Sequence, residues 1–320
     1  MVRKRMTALV TVFAVLIAGI FVERLSSSNL AADSSGYYLE EEVLSGSGEN
    51  KIVQLFVNGV ISGQRNASGL PSMAEVLHEQ LRRVEADPSV KAVVLRIDSP
   101  GGEVVATDEI HSQLLHLKKE RNLPIVISMG STAASGGYYL ATAGDSIFAN
   151  PNTLTGSLGV IFNLLNYGEA INKLGVHQYA IKSGRFKDIG SPARAMTTQE
   201  QHIFQTLVND SYNKFVDVIV NGRNLPREKV LEIADGRIYS GEQAKDLGLI
   251  DQFGDLDEAT QYALALSGET EAIVVRYKEQ LSLRSLLFAL RQHWSNPDPL
   301  GIARVLDRQS THRLLYQMNP

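Results

Sequence analysis

Between residues 51 and 140 the chain alternates apolar runs with glycine-bearing turns and amphipathic stretches, and this alternation most constrains its fold. Ile52 to Ile61, Val90 to Ile97 and Pro124 to Met129 read as buried strands. Met73 to Glu85 carries Met73, Val76, Leu77 and Leu81 on one helical face, and a second helix is expected from Val104 to Lys119. Strand, turn and helix in repetition imply βαβ units and a mainly parallel α/β sheet. Further on, short strands are expected near Ser157 to Phe162 and Gln178 to Lys182. A long helix should run from Thr198 to Val220, with Thr197 and Glu200 at capping-box spacing.

The flanks have a different texture. Arg3, Lys4 and Arg5 precede an uncharged, mostly apolar run over 6–22 that Glu23 and Arg24 close. That length is short for a bilayer span but long for a signal-peptide core, and no clear small-x-small cleavage site follows. The run reads as an uncleaved membrane anchor, and the basic flank keeps the N-terminus in the cytoplasm with the remainder outside. Residues 23–49, rich in Ser, Gly, Asn and Glu, read as a linker, 50–280 as the main domain and 281–320 as an amphipathic extension. In that extension Leu283, Leu286, Leu287 and Leu290 form an apolar stripe. A net charge of -4 gives no reason to expect a nucleic-acid partner, and the absence of cysteine excludes disulfides and thiolate metal sites.

Two turns stand where strands should end, the side on which parallel sheets bind ligands. Ser99-Pro100-Gly101-Gly102 could aim backbone N–H groups at a developing oxyanion, or could simply connect strand to helix. Ser135, followed by Gly136 and Gly137, is either a helix N-cap or a nucleophile whose next amide completes that oxyanion hole. A serine nucleophile needs a base, and none of the seven histidines (His78, His111, His116, His177, His202, His293, His312) sits in a site-like context. Lysine is the remaining candidate. Lys182 and Lys187 share a glycine-bounded loop, and either could act if burial depressed its pKa beside a neutral partner. Chain physics does not choose between them.

Several ordered motifs resemble the short form of the S49 serine proteases, the protease IV family. They are Arg96-Ile-Asp-Ser-Pro-Gly-Gly102, Ala133-Ala-Ser-Gly-Gly-Tyr-Tyr139, Thr155-Gly-Ser-Leu-Gly-Val160, Lys182-Ser-Gly-Arg-Phe-Lys-Asp188 and Asp235-Gly-Arg-Ile-Tyr-Ser-Gly-Glu-Gln-Ala244, closed by Gly248-Leu-Ile-Asp251. The resemblance runs from about residue 50 to 280. It implies Ser135 as nucleophile, Lys187 as general base, Gly102 and Gly136 as oxyanion hole and Ser157 as hydrogen-bond partner of the lysine, with Lys182 structural. It also implies a ClpP/crotonase-like fold of stacked βαβ units, assembly into a ring-shaped homo-oligomer, and no metal or cofactor. The setting it implies is a bacterial cytoplasmic membrane, spanned once through residues 6–22, with the catalytic domain outside. Its substrates would be residual signal peptides and other extended apolar peptides. The pocket for the residue before the scissile bond should then be small to medium and hydrophobic. Two rivals share parts of the pattern. A ClpP-like Ser-His-Asp protease would need a histidine soon after the nucleophile helix, and none occurs between His116 and His177. A crotonase-like acyl-CoA enzyme would leave Ser135 and the Lys187 segment unexplained.

Overall fold

The computed structural model describes residues 37–65, 70–281 and 314–318. The proposed anchor over 6–22 and the leucine stripe at 283–290 lie outside these residues. Among the described residues, no helix is long and apolar enough to cross a membrane.

The strands are β1 (Tyr37–Gly46), β2 (Lys51–Asn58), β3 (Val90–Ser99), β4 (Gly101–Glu103), β5 (Ile125–Ala134), β6 (Ser146–Ala149), β7 (Leu154–Gly156), β8 (Ile238–Tyr239), β9 (Gln252–Phe253), β10 (Ile273–Leu281) and β11 (Leu315–Gln317). The helices are α1 (Met73–Ala86), α2 (Val104–Arg121), α3 (Gly136–Ala141), α4 (Gly168–Lys173), α5 (Thr198–Arg223), α6 (Arg227–Ile233), α7 (Gly241–Asp246) and α8 (Leu256–Ser267). The main sheet runs β1-β10-β2-β3-β5-β6-β9, parallel from β10 to β9, with antiparallel β1 at its edge. Short β7 extends the far end of β5 in parallel, and β8 pairs with β7 antiparallel.

The apolar runs become central strands because a parallel sheet covered on both faces buries every side chain. Along β3, Val93, Leu95 and Ile97 join the core shared with α1 and α2 through Leu77, Leu81, Ile110 and Leu114. Ala92 and Val94 face the other way, against Ala259 and Ala263 of α8. Truncating a fully buried residue such as Leu95 to alanine costs about 2–5 kcal/mol at such sites. Helix starts follow local chemistry. Ser72 with Glu75, and Thr197 with Glu200, each form the reciprocal capping box.

Three expectations change. Part of the segment read as a linker, Tyr37–Gly46, is strand β1, because its backbone pairs along the full length of β10 while its glutamates point to solvent. No strand forms over 178–182, where Tyr179 and Ile181 are exposed. Near 157–162 the strand lies earlier, as β7, and Ile161 makes only a single bridge to Leu315.

Candidate active site

β3 and β5 are parallel neighbours, and both glycine turns leave from their carboxyl ends. After a register shift beyond Ile97, Ser99 pairs with Ala133, so the turn at 99–102 lies beside the turn at 134–137. Ser135 is held through its backbone. Its N–H donates to the Gly156 carbonyl of β7 at 2.8 Å, and its carbonyl accepts from Tyr139 N–H at 2.9 Å. Its φ of 52° and ψ of -115° lie in a region that costs a non-glycine residue about 1–3 kcal/mol. Ser135 occupies the N-cap position of α3, but its side chain makes no capping hydrogen bond and is left for another use. Ser135 is 1 % exposed, and its Oγ has no hydrogen-bond partner among the described residues. A buried hydroxyl left unpaired costs about 1–3 kcal/mol, and such groups concentrate where chemistry is done.

Gly101 and Gly102 are required by close packing. Gly101 has φ +98°, and a Cβ there would sit 2.7 Å from Gly136 N and overlap the Tyr316 carbonyl. A Cβ on Gly102 would strike the backbone of Ile61, whose carbonyl accepts Glu103 N–H at 2.8 Å. β4 is therefore clamped on one side by Ile61. On its other side lies the chain's own C-terminal strand.

That strand, β11, runs antiparallel to β4 with Tyr316 opposite Gly102. Met318 N–H donates to Pro100 O at 2.8 Å and Val104 N–H to Leu314 O at 3.3 Å, which makes 102/316 the hydrogen-bonded pair between them. On its outer edge Leu315 exchanges two 3.0 Å hydrogen bonds with Ile161. A Cβ on Gly136 would lie 3.0 Å from Tyr316 O and 3.2 Å from Gly102 N. The Tyr316 carbonyl thus rests beside the amides of Gly102 and Gly136, where an oxyanion would sit. The Tyr316 ring is fully buried. It stacks on Tyr139 at 5.1 Å and 22°, packs on Phe215 at 4.7 Å, and its hydroxyl donates to Ser211 O at 3.0 Å. A pocket walled by Tyr139 and Phe215 lies beside these two amides. It takes a tyrosine, because its walls are two flat rings and its floor is a helix carbonyl.

The structure brings Ser135, Gly102 and Gly136 together and places Ser157 next to them. Ser157 follows the glycine that binds Ser135 N–H, has φ +49°, and donates its own N–H to Arg237 O at 2.7 Å. Its residue lines a cleft of about 610 Å³ with Gly159, Asp235, Gly236, Gln317 and Met318. Lys187 is not brought to Ser135. It is exposed in a turn, with its N–H on Gly184 O at 3.1 Å and no side-chain partner among the described residues. Lys182, in contrast, is bound to Asp188 at 2.5 Å. Arg194 and Lys182 hold the Asp188 carboxyl far below the usual range. Among the described residues no histidine fills the gap. His111 is buried against Thr142 Oγ1 at 3.0 Å, and burial lowers its pKa to about 4.

Sequence reasoning left the C-terminal segment 314–320 open as a tail, a neighbour contact or a groove occupant, and did not pick out the pocket walls Tyr139 and Phe215. They are ordinary aromatic residues on separate elements, and only the fold assembles them.

Comparison with known proteins places these observations in a family. Residues 117–268 match the model of peptidase family S49, and residues 53–155 match that of Clp protease. A protein of Enterococcus faecium named for signal peptide peptidase SppA is 38% identical over 279 residues, covering 84% of this chain and 80% of that one. Protease 4 of Salmonella typhi is 36% identical over 217 residues, which are 68% of this chain and 34% of the longer protein. The chloroplastic serine protease SPPA of Arabidopsis thaliana is 34% identical over 220 residues, 68% of this chain and 32% of its own. With a ClpP-like α/β fold whose two glycine turns meet around a buried serine, the chain belongs to peptidase family S49 and is a serine peptidase.

Proposed function

We propose that the chain is a membrane-anchored endopeptidase with a Ser135–Lys187 dyad that cleaves extended peptides, residual signal peptides among them. The observation that carries this reading is the backbone carbonyl of Tyr316 beside the Gly102 and Gly136 amides, with the neighbouring Ser135 hydroxyl buried and without a partner among the described residues. A substrate added as a strand on β4 would present its carbonyl in the same way, with its side chain in the pocket of Tyr139 and Phe215. Aromatic side chains suit that pocket.

In this mechanism neutral Lys187 removes the Ser135 proton as Oγ attacks the carbonyl. The amides of Gly102 and Gly136 hold the oxyanion, each worth roughly 3–4 kcal/mol. Lys187 then protonates the leaving amine, and water admitted through the Ser157 cleft hydrolyses the acyl-enzyme. Ser157 is the neutral partner of the ammonium.

Within one chain Ser135 lacks its base while Lys187 stands exposed. Around Lys187 the surface is unusually apolar, with Leu174 79 %, Tyr179 87 % and Ile181 fully exposed. Such a patch favours self-association. We therefore read Lys187 as supplied by a neighbouring copy in a ring, which buries it on arrival. The anchor over 6–22 would hold this ring on the outer face of a bacterial cytoplasmic membrane, where released signal peptides reside.

Mixing variants tests the reading. Ser135→Ala and Lys187→Ala should each lose about 10³-fold or more in peptide hydrolysis. Co-assembled, they should recover activity, because some sites receive an intact serine and an intact lysine. Near-normal turnover by Lys187→Ala alone would sink the dyad. Absence of recovery on mixing would return the lysine to its own chain.

A further inference from the structure

Asp108 lies on α2, the helix that follows the oxyanion strand β4. Its Oδ1 accepts the Tyr139 hydroxyl at 2.6 Å and its Oδ2 accepts Lys214 Nζ at 2.6 Å. Tyr139 belongs to α3, which starts directly after the nucleophile. Lys214 belongs to α5, which supplies Phe215 and the Ser211 carbonyl to the side-chain pocket. One carboxylate therefore ties together the three helices that enclose the Tyr316 ring. Among the described residues it makes no hydrogen bond to Ser135 or to the occupant, whose hydroxyl goes to Ser211 O, and it reaches that hydroxyl only through its charge.

The bond to Tyr139 is oriented as well as short. Burial acts to raise the Asp108 pKa, but the hydrogen bonds from Lys214 and Tyr139 outweigh it and hold the carboxyl below its usual range. Burial and then Asp108 raise the Tyr139 hydroxyl pKa, so that hydroxyl stays a donor. Asp108 is thus an ionised acceptor and Tyr139 a protonated donor at neutral pH. A charge-assisted bond of this kind is roughly twice as strong as a neutral one. It fixes the one ring that both stacks on the occupant and packs edge-on against His111 at 5.0 Å.

We propose that Asp108 is the positioning residue of the side-chain pocket, holding Tyr139 as the wall on which an aromatic substrate side chain stacks. This rests on the reading of Ser135 as nucleophile and of the Tyr316 position as that of the residue before the scissile bond. A purely structural carboxylate would support every substrate equally. A positioning one supports aromatic substrates above others, so selectivity separates the two roles.

The experiment measures kcat and KM of the full-length enzyme on two peptides that differ only in tyrosine or alanine before the scissile bond. Asp108→Ala should lower the ratio of kcat/KM for tyrosine over alanine by about 5–10-fold, mostly through KM, as expected when an aromatic pair loses its geometry. Asp108→Asn, which still accepts the Tyr139 hydroxyl, should keep most of that ratio. Tyr139→Phe, nearly isosteric and able to fold where Asp108→Ala fails, should lower the ratio as Asp108→Ala does. An equal loss on both peptides, or an unchanged ratio in Tyr139→Phe, overturns the proposal. Cleavage of both peptides by Ser135→Ala overturns the nucleophile reading beneath it, and the wild-type control tells that failure apart.

Discussion

The proposed nucleophile and the proposed base belong to regions built on opposite principles. Ser135, Gly102 and Gly136 sit at the ends of β3, β4 and β5, above strands whose apolar residues are almost wholly buried. Around Lys187, from 163 to 196, there is no strand among the described residues and one six-residue helix, α4. That segment is anchored by ions, with Arg194 bonded to Asp188 at 3.0 Å and to Glu200 at 2.5 Å, and its apolar side chains face outward. Oxyanion amides must be aimed before the reaction, because donors that reorganise during it lose their advantage. A base can be delivered later, by contact. In the proposed mechanism one half of the site is finished by folding and the other by assembly.

The comparison can be broken first at its rigid side. Gly102→Ala puts a methyl against the Ile61 backbone, so β4 must shift and carry its amide out of line. Loss of one oxyanion donor lowers kcat by about 10²–10³-fold. A kcat near wild type, with the fold verified by circular dichroism, would show that Gly102 N–H is not a catalytic donor. On the other side, Ile181→Asp removes nothing from a core, since Ile181 is fully exposed. Activity should fall about tenfold as copies separate, while Tm stays within about 2 °C, as for a surface change. Sedimentation reads the association directly. Unchanged assembly together with unchanged activity would break the contrast between the two regions.

The rigid half was also the legible half. β2, β3 and β5 declare themselves as apolar runs because both faces of a parallel sheet are covered, and the Thr197–Glu200 box marks the start of α5 by local chemistry alone. Ser135 could be found from its glycines, since close backbone packing admits little else. The mobile logic of surfaces leaves weaker marks. Tyr179 and Ile181 mimic a strand because exposed apolar residues read in sequence like apolar residues in a core. β1 hides behind Glu40, Glu41 and Glu42, as an edge strand buries little, in this case Leu39. β11 is three residues long, too short for any period, and its place is set entirely by the groove that receives it.

Acid should distinguish the regions by smaller effects. His111, beneath the nucleophile helix, is 6 % exposed and its pKa falls to about 4, chiefly through burial, with the Asp108 charge opposing. The unfolded chain binds that proton near pH 6.5 and the folded one does not, so stability is full above 6.5 and declines as pH falls toward 4. The loss at pH 4.5 is about 2–3 kcal/mol by linkage. His111→Gln, which can still meet Thr142, should flatten urea-unfolding stability between pH 6.5 and 4.5. A wild-type slope retained in that variant would assign the proton elsewhere. Glu200, anchoring the lysine segment, has the opposite chemistry: Arg194 lowers its pKa to about 2. Its contribution is present above its ordinary pKa of about 4.3 and is lost only as pH falls below that toward 2. Between pH 6.5 and 4.5, then, the His111 contribution should weaken while the Arg194–Glu200 anchor of the lysine segment holds.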